Sequence, residues 1–367
     1  MYLNWGNWDF NSRVTATDNL IYCFGILSMS TDIMFKPNTM KSFMDLIYSE
    51  FTVYRVPLKN TENDIYERKC ELVDEMTLEG YRLLKSTGTV LRYFFSGYSI
   101  VPICGILFYF LNLEPVENLP LLFKFYSPLS LSLTVTSFHE YLVCTGLQLF
   151  YVYYSVILAL INSLSQMLTM FHMRVEMKLF QLNVREINMY CAENTFRVNK
   201  NESYGLEDNG FSEKELRLMM KQLARHHQII CRKMDWLNEG FKIRLFYFNT
   251  FICLQICLGI FIVLKGQIVL KIKYFIIVIS IAVIEFFLSE NGQKVQDEGE
   301  EIRTVLYECD WRGKPKWFTS SLQLIMTRSN RLPRIYLFNV MTLNRKNMMV
   351  VMRGAYSYLN LLNNFSK

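Results

Sequence analysis

Proline and glycine are scarce, 8 and 16 in 367 residues, and no stretch is rich in Pro, Ser and Gly or repeats itself. That excludes a disordered, linker-dominated or solenoid chain and leaves the apolar residues to a single bundle. Histidine is scarcer still, with four residues, and the nine cysteines fall at irregular spacing, several within apolar runs (Cys23, Cys104, Cys144, Cys253, Cys257). They make neither a disulfide framework nor a CxxC metal site and read as small buried hydrophobes. No HExxH, G-x-S-x-G, phosphate-binding loop or dinucleotide-binding glycine pattern occurs, so neither an enzyme nor a cofactor or metal site is expected. The net charge of +6 is spread through connections between apolar runs instead of one basic patch, so nucleic acid is not an expected partner.

What is abundant is apolar and aromatic: hydrophobic residues are 51% and aromatics 15%, with 28 Phe and 22 Tyr. A helix needs about 20 apolar residues to cross a bilayer. Six segments qualify as candidate membrane helices, over residues 18–34, 90–113, 129–161, 241–264, 272–288 and 346–364. The third would reach about 50 Å at 1.5 Å per residue, too long for a bilayer, so its helix should continue into water. Lys and Arg number nine between Lys36 and Arg92, twelve between Lys178 and Arg244 and ten between Lys294 and Lys346. The alternate connections hold only Lys124, then Lys265, Lys271 and Lys273. Basic connections stay in the cytosol. The three long loops are therefore assigned to the cytosol, including the segments 178–240 and 291–345, and the carboxyl terminus to the outside.

The first ten residues, with Trp5 and Trp8, are neither a signal peptide nor a span. They read either as the outer end of a preceding span or as an outward-facing tail with an interfacial aromatic belt. His139 and Glu140 in the third span and Glu285 in the fifth are ionisable residues at membrane depth, which face a bundle interior or a wet cavity. His139 reads as a polar anchor in a ligand cavity or as an interhelical hydrogen bond. Adjacent His226 and His227 point about 100° apart on a helix. They suit helix contact better than metal, within an amphipathic pattern of Leu216, Met219, Met220, Leu223, His227, Ile230 and Met234. In the last segment Arg353, Ser357, Asn360 and Asn364 recur at four, three and four, one polar stripe with Leu361 beside it and Phe365 four residues beyond. Such a stripe must face other helices or water. In a symmetric oligomer it would line a pore whose apolar rings close by dewetting.

Three stretches carry a family resemblance. Arg225-His226-His227-Gln228-Ile229-Ile230 looks like the His-His stretch of the insect odorant receptors. Leu306-Tyr307-Glu308-Cys309-Asp310-Trp311, followed by a basic amphipathic helix from Trp317 to Thr327 and by Gly354-Ala355-Tyr356-Ser357-Tyr358, is similar to that family's carboxyl-terminal signature. Ser357-Tyr358, five residues, then Asn364-Phe365 keeps the pattern of the related gustatory receptors' terminal motif with two conservative departures. The resemblance implies an all-α polytopic membrane bundle with a cytosolic helical anchor, a single domain over residues 1–367 in which the family's first helix has no evident counterpart. It further implies an odorant-tuned subunit at the plasma membrane that gates a non-selective cation conductance in a tetramer with the shared coreceptor. Leu361 and Phe365 would then form the pore constriction and Asn364 the polar filter, with Ser357 and Asn360 below them on the stripe. The odorant cavity would lie in the outer halves of the first, second, third and fifth spans listed above. Available lining there is Tyr22, Gly105, Phe108, Tyr109, Phe138, His139, Leu142, Tyr274, Phe275 and Val278, mostly aromatic and aliphatic, for a small volatile hydrophobic ligand held by apolar burial.

Rival readings are a gustatory-type channel, a truncated nonfunctional receptor, a G-protein-coupled receptor and a secondary transporter. A G-protein-coupled receptor would put its carboxyl terminus in the cytosol, against the charge count, and would carry Asp-Arg-Tyr and Asn-Pro-x-x-Tyr motifs, which this sequence lacks. A transporter would show two related halves, and none are seen.

Overall fold

The computed structural model describes residues 16–17, 20–21, 23–27, 37–53, 62–113, 115–116, 119, 121, 135, 137–201, 209–266, 268–331, 333–337 and 341–365. Most of these are helical. A short helix α1 (Pro37–Tyr48) precedes four long ones, α2 (Glu62–Phe110), α3 (Phe138–Asn201), α4 (Asn209–Lys265) and α5 (Ile268–Tyr307). Then come α6 (Lys316–Ser329), a two-stranded antiparallel ribbon of β1 (Tyr336–Leu337) and β2 (Met341–Thr342), and the terminal helix α7 (Arg345–Phe365). Helical turns also occur within residues 16–27.

Three helices among the described residues are long and apolar enough to cross a membrane: Phe138–Cys191, Arg244–Lys265 and Lys271–Tyr307. Ser99–Phe110 is a shorter apolar helix. At 21 residues α7 is about 31 Å long, enough to span, but it is not apolar enough to join these three. Its polar stripe, expected from the spacing of Arg353, Ser357, Asn360 and Asn364, is the reason.

The long helices run through both environments. α3 continues well past residue 161 to Asn201, a total of 64 residues, as its excess length required. Between residues 162 and 191 it is buried almost all round, because α1, α2, α4 and α5 pack on it from different sides. α5 is the central staff, touching α2, α3, α4, α6 and α7. At Gly259 a Cβ would collide with the Val278 side chain, so the missing side chain is what lets α4 and α5 close on each other in the outer half. Close approach at small residues is how helices associate where lipid offers no hydrophobic driving force.

α2 ends where Asn112 adopts a left-handed φ of 51° and the Leu113 amide donates to the Phe108 carbonyl at 3.0 Å. This helix-stop geometry accepts Asn in place of Gly. It fixes Phe108 and Tyr109 at the outer end of α2. The amphipathic pattern of α4 holds in full: Leu216, Met219, Met220, Leu223, His227, Ile230 and Met234 are all buried. α6 buries Phe318, Leu322, Ile325 and Ser329, again at four, three and four.

Candidate functional site

The terminal helix is built to show one face. Asn344 caps it, its side-chain oxygen accepting from the Asn347 amide at 2.9 Å. Asn347, Val351 and Ala355, spaced by four, are buried against the bundle, where α7 packs on α4 and α5. Ala355 lies about 200° around the helix from Arg353. On that far side Arg353, Ser357, Asn360, Leu361 and Asn364 are all exposed. Leu361 is 50% exposed in the single chain, with Met349, Val350 and Tyr356 flanking the stripe and equally uncovered. The Phe365 backbone completes the helix, but its side chain lies outside the described residues, as does all of Tyr22.

The base of α7 is tied to α5. Arg345 donates to both carboxylate oxygens of Glu290, at 2.7 and 2.8 Å, a bidentate pair. This guanidinium holds the Glu290 carboxyl below the ordinary carboxylate range. Two residues further along α5 the Leu343 carbonyl approaches Gly292 so closely that any Cβ there would clash. Movement of α5 therefore carries the start of α7 with it.

In the outer half, the structure brings one part of the expected ligand-lining set together. Tyr109 and Phe138 stack with ring centroids 3.8 Å apart and 9° between planes. Tyr141 lies beneath, its ring 6.2 Å from that of Phe138. Phe108, Leu119 and Val135 join the same apolar cluster. Gly105 is buried nearby on α2. A second group sits at the α4–α5 contact, where Tyr274 is buried and Val278 half-buried against Gly259. His139, Leu142 and Phe275 are exposed on the single chain and turn away from its interior. Glu140, not His139, is the buried member of that pair.

Two features escaped the sequence reading. Lys273, counted there with the outer connection, is buried, its ammonium 4.8 Å from the Tyr274 ring centroid. Its place inside a predicted span was the available signal. The second is a polar hub below the membrane, centred on Glu176, about 22 Å beyond residue 161 along α3. Lys233 of α4 donates to Glu176 at 2.7 Å, to Ser49 at 3.0 Å and to His172 at 3.1 Å, satisfying all three ammonium hydrogens. His226 Nε2 donates to the other Glu176 oxygen at 2.9 Å, while its Nδ1 accepts from the Asn183 amide at 3.0 Å. Burial pushes the Glu176 carboxyl up. The His172 and His226 contacts and the Lys233 charge outweigh burial and hold it far below the usual range. His227, the second of the pair, points the other way and donates to Ser329 of α6 at 3.1 Å. The two adjacent histidines thus serve two different helix contacts, and no group of three or more His, Cys, Asp or Glu among the described residues is placed to hold a metal.

Comparison with known proteins agrees with this architecture. Putative odorant receptor 19b and Odorant receptor 19a of Drosophila melanogaster are each 27% identical to the chain over 145 residues, 38% of this chain and 37% of theirs. That alignment therefore covers little more than a third of these relatives' length. The insect olfactory receptor OR5 from Machilis hrabei shares the fold. Its complex with eugenol superposes with a TM-score of 0.74 at 11% identity, over 98% of this chain and 83% of that one. A second structure of OR5 gives 0.73 over 97% and 82%. A family model described as 7tm odorant receptor matches residues 51–356, most of the sequence, and so the chain belongs to the insect odorant receptor family.

Proposed function

We propose that this receptor is an odorant-tuned subunit of a ligand-gated, non-selective cation channel in the plasma membrane, working in a tetramer with the family's shared coreceptor. The observation that carries this reading is the terminal helix. Its polar stripe, Arg353, Ser357, Asn360 and Asn364, faces away from the bundle, and in a membrane-spanning helix facing lipid would be costly for it. A ring of such helices from several subunits gives the stripe water and ions, with Leu361 and Phe365 as the apolar constriction and Asn364 as the filter. A small volatile apolar ligand is received in the outer half, among Tyr109, Phe138, Phe108, Tyr274 and Val278. Its binding is tighter to the open state, which is what lets it bias the gate. The Glu290–Arg345 link passes a shift of α5 to α7.

Recordings from cells co-expressing the chain and the coreceptor test the assignment. Leu361→Ala is expected to leak cation current without odorant, because a smaller apolar ring closes less completely by dewetting. Unchanged resting and evoked currents in Leu361→Ala would discard the gate. An epitope tag at the carboxyl end should stain unpermeabilised cells; staining only after permeabilisation would favour a G-protein-coupled topology.

A further inference from the structure

Away from both the stripe and the outer aromatic cluster, the fold forms an open pocket of about 270 Å³. α4 supplies His227, Cys231, Asp235 and Asn238, α5 supplies Gly299 and Ile302, and the end of α6 with the following connection supplies Arg328, Arg331 and Arg334. Three guanidinium groups thus share one small cavity with a single carboxylate. No carboxylate among the described residues lies within ion-pair distance of Arg328, Arg331 or Arg334, although eight other Lys or Arg pairs with carboxylates form among those residues. The cavity is built instead of being a chance gap. Pro333, between Arg331 and Arg334, packs so close to Gly299 that a Cβ there would collide with its ring, and the Tyr336 amide donates to Asn238 at 2.9 Å, pinning the connection at both ends. All three arginines reach solvent at the mouth of the pocket, and the Arg328 charge acts on both His227 and Cys231. The upper rim at Asn238 lies about 9 Å below Arg244, where the apolar part of α4 begins. That is headgroup depth.

We propose that this cavity binds a phosphorylated polyanion, either the phosphoinositide headgroup of an inner-leaflet lipid or a soluble phosphorylated molecule of the same chemistry. Arginine forks match phosphate oxygens bidentately, and three of them around one cavity suit several phosphate groups better than one carboxylate. The inference rests on the cavity and is independent of the channel reading above.

The full-length chain in nanodiscs tests it. Phosphatidylcholine discs doped with phosphatidylinositol bisphosphate are compared with discs carrying equal charge as phosphatidylserine, and inositol trisphosphate is titrated into plain phosphatidylcholine discs. Binding of the bisphosphate lipid should exceed that of phosphatidylserine about tenfold or more, and Arg331→Gln with Arg334→Gln should remove about tenfold or more of it. Arg331→Lys with Arg334→Lys, which keeps charge but loses the fork, should fall between, while the control Arg225→Gln with Arg232→Gln, outside the cavity, should bind like wild type. Binding of inositol trisphosphate supports a soluble source, and binding confined to the lipid supports a headgroup. Equal binding to phosphatidylserine, or an equal loss in the control pair, overturns the proposal. So does an oligomer that dissociates in the Arg331/Arg334 variants with anion affinity unchanged, since the arginines would then be holding a neighbouring copy.

Discussion

The cytosolic base and the outer half of this bundle are assembled from the same four helices, yet they are held together differently. In the base, helices meet through directed polar contacts, with Glu176 alone bonded to residues of α4 and of the α1–α2 connection, inside a shell of Met, Leu and Ile side chains. In the outer half they meet through stacked rings and missing side chains, as at Tyr109–Phe138 and Gly259–Val278. Water surrounds the base, so burying apolar surface there drives assembly and the polar hub selects one arrangement. Lipid surrounds the outer half, where apolar burial gains little and only close packing discriminates.

The largest test of this contrast removes one partner of the buried pair. Glu176→Ala or Lys233→Ala leaves an uncompensated charge in the base and should cost about 3–5 kcal/mol, read as loss of the folded, monodisperse species in detergent. If either variant elutes and melts like wild type, the hub is not what organises the base.

Acid provides a second, graded test. Burial, then the Arg328 charge and His226, push His227 down to about 4 from its ordinary 6.5. The unfolded chain therefore takes up this proton first as pH falls, and stability should drop between pH 6.5 and 4 by about 3 kcal/mol, with no change from this group above that window. Melting temperatures measured against pH should show that slope, and His227→Asn should flatten it. Glu176 adds to the loss only at the acid end of this window and below it, because the unfolded carboxyl takes up its proton near the ordinary 4.5 while the folded one stays ionised.

Smaller effects belong to the outer half. Gly259→Ala forces the Val278 side chain or the helix to move and should cost about 1–3 kcal/mol, seen as a lower melting temperature with the base intact by hydrogen exchange. Phe138→Leu keeps apolar volume but loses the stack on Tyr109, about 0.5–1.5 kcal/mol. Its clearer readout is odorant potency in recordings, expected to shift while ion selectivity stays. A potency identical to wild type would place the ligand elsewhere.

The amphipathic run from Leu216 to Met234 was legible because a helix in water must turn its apolar side inward, and every member is buried. The length of α3 beyond the membrane followed from counting residues against bilayer thickness. The stripe on α7 was legible too, since spacing of four and three fixes a face. Its exposure needed the structure, because spacing says which residues share a side and not which side the bundle takes. His139 and Glu140 show the limit: adjacent residues in an apolar run look equivalent in sequence, and only packing put Glu140 inside and His139 out. Lys273 shows it again, since a lysine at the end of a span can extend to water or be covered by neighbours.

What the sequence determined by itself was the class of molecule, an all-helical membrane bundle with basic connections and one helix of two faces, because periodicity and charge are properties of the chain read in order. Only the tertiary structure decided the hub at Glu176, the Glu290–Arg345 tie and the arginine-lined cavity. Partners such as Arg345 and Glu290 lie 55 residues apart and Lys233 and Ser49 lie 184 apart, and no local pattern links residues that meet only after helices have packed.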